Sequence, residues 1–357
     1  MAEFWTIGVA GPRSVARFAE RLETDGFDGL AVVDSQNLSG DPYVALALAA
    51  GATSRLGLAT GVTNPYTRHA AATASSIASV QAVSGGRAVL GIGRGDSALA
   101  HLGLAPAPVP VFARYLRRLQ GYLRGDDVPF ADANDGNGEV ASVDDLGLGD
   151  QPTASRIEWI AALPKVPLDV AATGPRVIEL AAVVADRITF AVGADVERLA
   201  WAIEVARAAR SGAGLDPDTL GMGAYVNIAA HPDRAVARQL VAGGLSTLAR
   251  FNVMHGTPVG PYDASSASML TELHQRYDMN HHTQSGSVQA ATITPDFADR
   301  YAVVGSSAEV QSRLSELAAL GLGRFVLMGV GRAVGLEDES QVAYRNLIAE
   351  VLPALKS

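Results

Sequence analysis

The chain has 357 residues, 48% hydrophobic and only 6% aromatic, with a formal charge of −9 and no cysteine. A chain of this size buries one large barrel core or two smaller ones, and the lack of cysteine excludes disulfides, thiolate metal sites, iron–sulfur clusters and a cysteine nucleophile. With no Lys/Arg cluster, a nucleic-acid partner is excluded, since phosphate neutralisation needs a basic face, whereas a small anionic ligand still fits a helix amino terminus and a few arginines.

Strand-like and helix-like segments alternate along most of the chain. Strands read at Phe4–Ala10, Gly29–Asp34, Leu56–Thr60, Ala88–Ile92, Leu168–Ala172, Arg187–Phe190, Gly223–Asn227 and Arg324–Leu327. Helical stretches between them include Ser14–Thr24, Pro42–Thr53, Ala71–Val83, Pro110–Leu123, Arg176–Ala185, Val196–Ser211 and Glu309–Leu320, and a last one, Gln341–Leu352, stops at Pro353. Eight strands, each followed by a helix, predict a closed (β/α)8 TIM barrel. A doubly wound open sheet is the competing architecture, but Ala10-Gly11-Pro12 after the first strand is no dinucleotide fingerprint. The amino terminus, MAEFWTIGVAG, lacks a basic segment leading an apolar run, and no apolar run approaches the ~20 residues of a membrane span. A cytoplasmic protein with no membrane partner is expected.

The ends of these strands hold the candidate chemistry. Asp34 and Ser35 close the second strand. Gly61-Val62-Thr63-Asn64-Pro65-Tyr66 follows the third and reads as a tight turn. The fourth strand breaks into Gly91, Gly93 and Gly95 and ends on Asp96. Glycines there admit a ligand close to the backbone; a turn serving only chain reversal is the plainer alternative. Arg94-Gly95-Asp96 also spells an adhesion tripeptide, which carries no weight without a sign of secretion. Asp34, Thr63 and Asp96 are expected at one mouth, where a carboxylate serves as acid or base or as a structural hydrogen-bonding group. After the fifth strand, Thr173 suits an N-cap and Pro175 a first helical turn, so the free N–H groups there, with Arg176, offer an anion pocket.

Two segments break the rhythm. Residues 125–152 are acidic, glycine-rich and aperiodic, a surface excursion before strand five. Residues 253–299, placed between helix seven and strand eight, hold His255, His274, His281, His282 and Tyr277. Such an insertion sits over the mouth of a barrel and shapes specificity. The His281-His282 pair has no acidic partner at a metal-ligand spacing, so no metal is expected. No nucleophile elbow, Walker loop or kinase set occurs either, which leaves a bound organic cofactor as the carrier of reactivity.

Five segments carry a family resemblance: GVTNPYTRHA at 61–70, VLGIGRGDSA at 89–98, VAATGPRVIELAAVVAD at 170–186, YDMNHHTQSGSVQA at 277–290, and YAVVGS with GRFVLMG near the end. The chain resembles the bacterial luciferase-like superfamily through nearly its whole length, and specifically its methylenetetrahydromethanopterin reductase-like branch, which uses the deazaflavin coenzyme F420.

The resemblance implies a single TIM-barrel domain over 1–357 with the cofactor ring at the strands' carboxyl ends. It implies a non-prolyl cis peptide within Gly61-Val62-Thr63, forming a bulge that backs the ring. Asp34 would lie near the ring, with Gly93, Gly95 and Asp96 along its other side. Ala171, Ala172, Thr173, Gly174 and Arg176 would line the cofactor's chain or phosphate region. Many relatives carry a histidine just after strand two as acid or base; this chain has Asp34-Ser35-Gln36, so proton handling falls to Asp34, Asp96 or solvent. The implied activity is an F420-dependent oxidoreductase moving a hydride to or from a small organic substrate, in a homodimer. An FMN-dependent monooxygenase using oxygen is the alternative on the same fold, and a non-catalytic flavin-binding barrel is the alternative of another class.

Overall fold

The computed structural model describes residues 1–130, 142–331 and 334–356. Eight parallel strands form its centre: β1 Glu3–Gly8, β2 Gly29–Val32, β3 Gly57–Thr60, β4 Ala88–Ile92, β5 Leu168–Ala172, β6 Arg187–Phe190, β7 Gly221–Ala230 and β8 Arg324–Met328. Each pairs with its sequence neighbour, and β8 pairs back onto β1 with Arg324 opposite Glu3, so the sheet closes into the expected barrel. Every residue of β2 and β4 is buried, as parallel strands covered on both faces must be.

Outside the barrel lie α1 Val15–Thr24, α2 Pro42–Ala52, α3 Ala70–Ser84, α4 Val109–Arg124, α5 Pro175–Val184, α6 Val196–Gly212, α7 Ser307–Ala318 and α8 Glu337–Asn346, the last extended by a π-helical turn at Leu347–Val351. Leu30, Leu58, Leu90, Leu168 and Ile188 point outward from the strands into this layer. Trp5, Ala31, Ala59, Val89 and Val326 fill the interior.

The amino-terminal end of the barrel is sealed by charge. Arg324 donates from Nε to Glu3 at 2.8 Å, reaches Asp169 at 3.5 Å and lies 3.9 Å from the Trp5 ring centroid. Thr189 donates to the same Asp169 at 2.8 Å. With that end plugged by an ion-paired layer, the open carboxyl ends are the place for chemistry.

Residues 231–306 cover those ends. The helix Arg234–Phe251 does not descend outside the barrel; it crosses the mouth, with Gly244 over Asn227 of β7, Arg250 against Asp96 beyond β4, and Asn252 donating to the Ala191 carbonyl beyond β6. Helices Ala264–Arg276 and Pro295–Tyr301 pack on it through Leu245, Leu270, Leu273, Phe297 and Tyr301. The excursion expected at 253–299 thus extends back to the end of β7. Sequence alone does not separate a roof helix from an outer one, because both carry one apolar face. α7, beyond the roof, takes the outer position between α6 and the end of the chain.

The acidic excursion begins where α4 stops on Gly125, at φ +77. A two-residue antiparallel ladder, Val128–Pro129 with Ala154–Ser155, pins its base; residues 131–141 lie outside the described part.

Candidate active site

The turn after β3 is a backbone bulge with a cis peptide between Gly61 and Val62, inside the tripeptide where the sequence placed it. Thr63 stitches the bulge to β4: its N–H donates to the Gly91 carbonyl and its carbonyl accepts from the Gly93 N–H, both at 3.0 Å. The β4 glycines make room for this. A Cβ on Gly91 would lie 2.1 Å from the Thr60 carbonyl oxygen, and one on Gly93 would lie 3.2 Å from Val62 Cγ2. Their absent side chains admit the bulge first. Gly95 has φ +89, a conformation that side chains other than glycine rarely adopt. Val62 itself stays partly exposed at the mouth.

Asp34 anchors the bulge from behind. Its Oδ2 accepts from the Thr63 hydroxyl at 2.7 Å and from Arg68 at 2.6 Å, and its side chain has no exposed surface. Arg68 also pairs with Asp41 at 2.7 Å and lies 5.0 Å from the Tyr43 ring centroid. Burial works against the charge on Arg68, but Asp34 and Asp41 outweigh it and push its pKa up. Burial likewise pushes the Tyr43 phenol up. Asp34 and Thr63 therefore meet as expected. Asp96 does not join them.

Asp96 occupies the N-cap position of the short helix Ser97–Ala100 without capping it. Its carboxylate instead forms a salt bridge with Arg250, both side chains being largely shielded from solvent. The Arg250 guanidinium lies 4.8 Å from the Tyr277 ring centroid. The Tyr277 hydroxyl sits 2.7 Å from Nδ1 of His282 and 3.3 Å from the Thr247 hydroxyl. Burial holds the His282 imidazole below its ordinary pKa and pushes the Tyr277 phenol above its own. Gly243 allows this approach, since a Cβ there would lie 2.4 Å from the Thr283 carbonyl oxygen, and Thr283 turns the chain at φ +66. His281 points elsewhere, pairing with Asp278 at 2.6 Å. Sequence reasoning missed Arg250 and Thr247. Arg250 stands in the last turn of its helix, where a cation is ordinary, so no local signal sets it apart.

The start of α5 departs from the sequence reading in one respect. Gly174, not Thr173, takes the N-cap position, in the extended conformation that a following proline imposes. Ala172 turns its methyl into the helix layer, while Ala171 faces the interior beside Gly93. Arg176, in the first turn, is exposed. Arg94 donates from Nε to the Ala107 carbonyl at 2.6 Å; burial first, and the charge of Arg176 second, hold its pKa below the usual guanidinium range. Among the described residues neither arginine makes an ion pair. Arg94 and Arg176 thus bring two like charges to the start of α5, the end of a helix that favours an anion.

The barrel mouth thus has the Gly61–Thr63 bulge at its back, Arg94 and Arg176 beside the start of α5, and a roof that brings Arg250, Tyr277 and His282. The chain is 27% identical over 339 residues to the 5,10-methylenetetrahydromethanopterin reductase of Methanolobus tindarius, covering 92% of this chain and 93% of that one. Its fold is shared with the coenzyme F420-dependent tetrahydromethanopterin reductase of Methanopyrus kandleri, at TM-score 0.73, 21% identity and 99% of each chain. It is shared as well with an F420-dependent secondary alcohol dehydrogenase, at TM-score 0.69, 18% identity, and 100% and 99% of the two chains. Residues 4–324, which take in the bulge, the glycine turn, the start of α5 and the roof, match one family along their whole length: the chain belongs to the luciferase-like monooxygenase family.

Proposed function

We propose that this protein is an F420-dependent oxidoreductase that moves a hydride between the deazaflavin and a small organic substrate, in the manner of the methylenetetrahydromethanopterin reductases. The observation that carries the reading is the likeness to such a reductase over more than nine-tenths of both chains, and the bulge and glycine turn at the barrel mouth support it. The residues fit the cofactor: Val62 offers a face for the ring, and Arg94 and Arg176, without carboxylate partners among the described residues, suit an anionic tail.

When bound, F420 supplies a hydride carried at C5 of its deazaflavin ring. The protein supplies position, shelter from water and proton handling. Gly61, Val62 and Thr63 would support the ring, with Gly93, Gly95 and Asp96 near it. Ala171, Ala172, Thr173, Gly174 and Arg176 line the tail, Ala172 through its backbone. Asp34, sealed beneath the bulge, acts by positioning Thr63. Asp96 borders the mouth, pairs with Arg250 and accepts the proton released when a substrate is oxidised.

The tenfold preference for F420 over FMN expected here amounts to about 1.4 kcal/mol and is read by calorimetric titration of the cofactor-free protein with each. Equal affinities, or rapid oxygen uptake with reduced FMN, would favour the monooxygenase reading instead. A homodimer completes the proposal. α2 is apolar on all sides, with Val44 54% and Leu48 43% exposed, and an all-apolar helix calls for a second covering surface. Sedimentation analysis of wild type and Val44→Glu/Leu48→Glu tests it.

A further inference from the structure

A cavity of about 190 Å³ opens on the outer wall of the barrel, lined by Arg21 of α1, Val330 and Gly331 beyond β8, and Tyr344 and Arg345 of α8. Sites for drug-sized ligands span about 300–1,000 Å³, so this one is too small for a deazaflavin cofactor and suits a small ion or the head of a metabolite. Its donors lack protein partners. Among the described residues neither Arg21 nor Arg345 makes an ion pair, and the N–H groups of Val330 and Gly331 donate to no protein acceptor. The Arg21 guanidinium is held by aromatic faces, 5.5 Å from the Phe18 ring centroid and 5.7 Å from that of Tyr344, a stacking that leaves its donor edge open. Asp25 accepts from the Tyr344 hydroxyl and Glu339 faces His231 at 2.8 Å, so neither carboxylate compensates the arginines. Burial first, and the Asp25 hydrogen bond second, push the Tyr344 phenol up, so the ring wall carries no charge that would repel an anion.

We propose that this cavity is a binding site for a small phosphate-bearing anion, held by the two guanidinia and the two backbone N–H groups. A tetrahedral dianion takes donors that converge from several directions, and guanidinium forks match phosphate oxygens in pairs. The chain as a whole carries −9, so its long-range field opposes the approach of anions. Uptake of one here therefore reports the local donors and not a general attraction. The site stands independently of the redox chemistry at the mouth, because α1, α8 and the turn after β8 build it without Arg94 or Arg176.

The test is a titration of the cofactor-free full chain with inorganic phosphate, at an ionic strength held constant with chloride, following the amide NMR signals of Val330 and Gly331. In wild type these signals should move and saturate. In Arg21→Gln/Arg345→Gln the Kd should rise about tenfold or more. Arg345→Gln alone, at an exposed side chain, should give a smaller rise in the same direction, which separates loss of the site from any disturbance caused by losing the Arg21 stacking. Arg94→Gln/Arg176→Gln should leave the Kd read at these two amides within about twofold of wild type, as distant changes do. Signals that stay still in wild type, or a Kd unchanged in both Arg345 variants, overturn the proposal. Equal movement with chloride alone overturns it as well, since screening and not a site is then being read.

Discussion

The carboxylate of Asp34, at the end of β2, accepts the hydroxyl hydrogen of Thr63, in the bulge after β3, at 2.7 Å while facing Arg68 at 2.6 Å. The contact ties the back wall of the site to a fully buried charge. Replacing Asp34 with Asn leaves Arg68 with half its compensation and weakens the hold on Thr63. Loss of one partner of a buried pair costs about 3 kcal/mol. A lower denaturant midpoint together with weaker F420 binding is expected. Normal stability with lost turnover would instead make Asp34 a direct participant.

Asp96 is expected to behave differently. Asp96→Asn preserves shape and polarity but removes the proton acceptor facing the mouth. Turnover in the oxidising direction should fall by roughly 10²–10⁴, with F420 affinity little changed. The carboxylate makes no capping bond to the helix that follows it, so thermal stability should change only through the Arg250 contact.

The Arg94–Arg176 pair gives a third outcome. Arg94→Ala combined with Arg176→Ala should weaken F420 binding about tenfold or about 1.4 kcal/mol, and the deficit should shrink as salt screens the exposed charge. Binding of the deazaflavin ring without its anionic tail should be unaffected. Equal losses for both ligands would place the arginines at the ring.

His282 links the roof to pH. Burial lowers its folded-state pKa below its ordinary value, so as pH falls through about 6.5 the unfolded chain takes up a proton that the folded chain refuses. Stability is full above that pH and declines below it, down to the folded-state pKa. Between pH 7.5 and 5.5 the wild-type Tm should drop more than that of His282→Gln. Parallel decreases would show that other groups govern the acid limb.

Much of this was legible in the chain. The eight buried runs with intervening amphipathic stretches predict the barrel, because parallel strands must be apolar on both faces. The GVT tripeptide, Asp34, Asp96 and Arg176 all stand beyond the strand ends where they were expected. What escaped detection is pairwise and long-range. Arg250 meets Asp96 across 154 positions, and neither carries a local sign of the other. For Gly91 and Gly93 the sequence shows only that a side chain is missing. The structure shows that the Thr60 carbonyl and Val62 occupy the space. Thr173 lost the cap to Gly174 because Pro175 dictates the conformation of the residue before it.

The roof leaves and rejoins the barrel at adjacent points. Ile228–Ala230 of β7 pairs in parallel with Val303–Gly305, and the His231 N–H donates to the Gly305 carbonyl at 2.8 Å. Its two ends are thus one strand spacing apart, about 4.8 Å, while β7, α7 and β8 close the barrel without help from what lies between. A segment of different length or sequence can be spliced at the same two points without stretching the scaffold. The roof that brings Arg250, Tyr277 and His282 over the mouth is thus tethered at a single place on the barrel's rim.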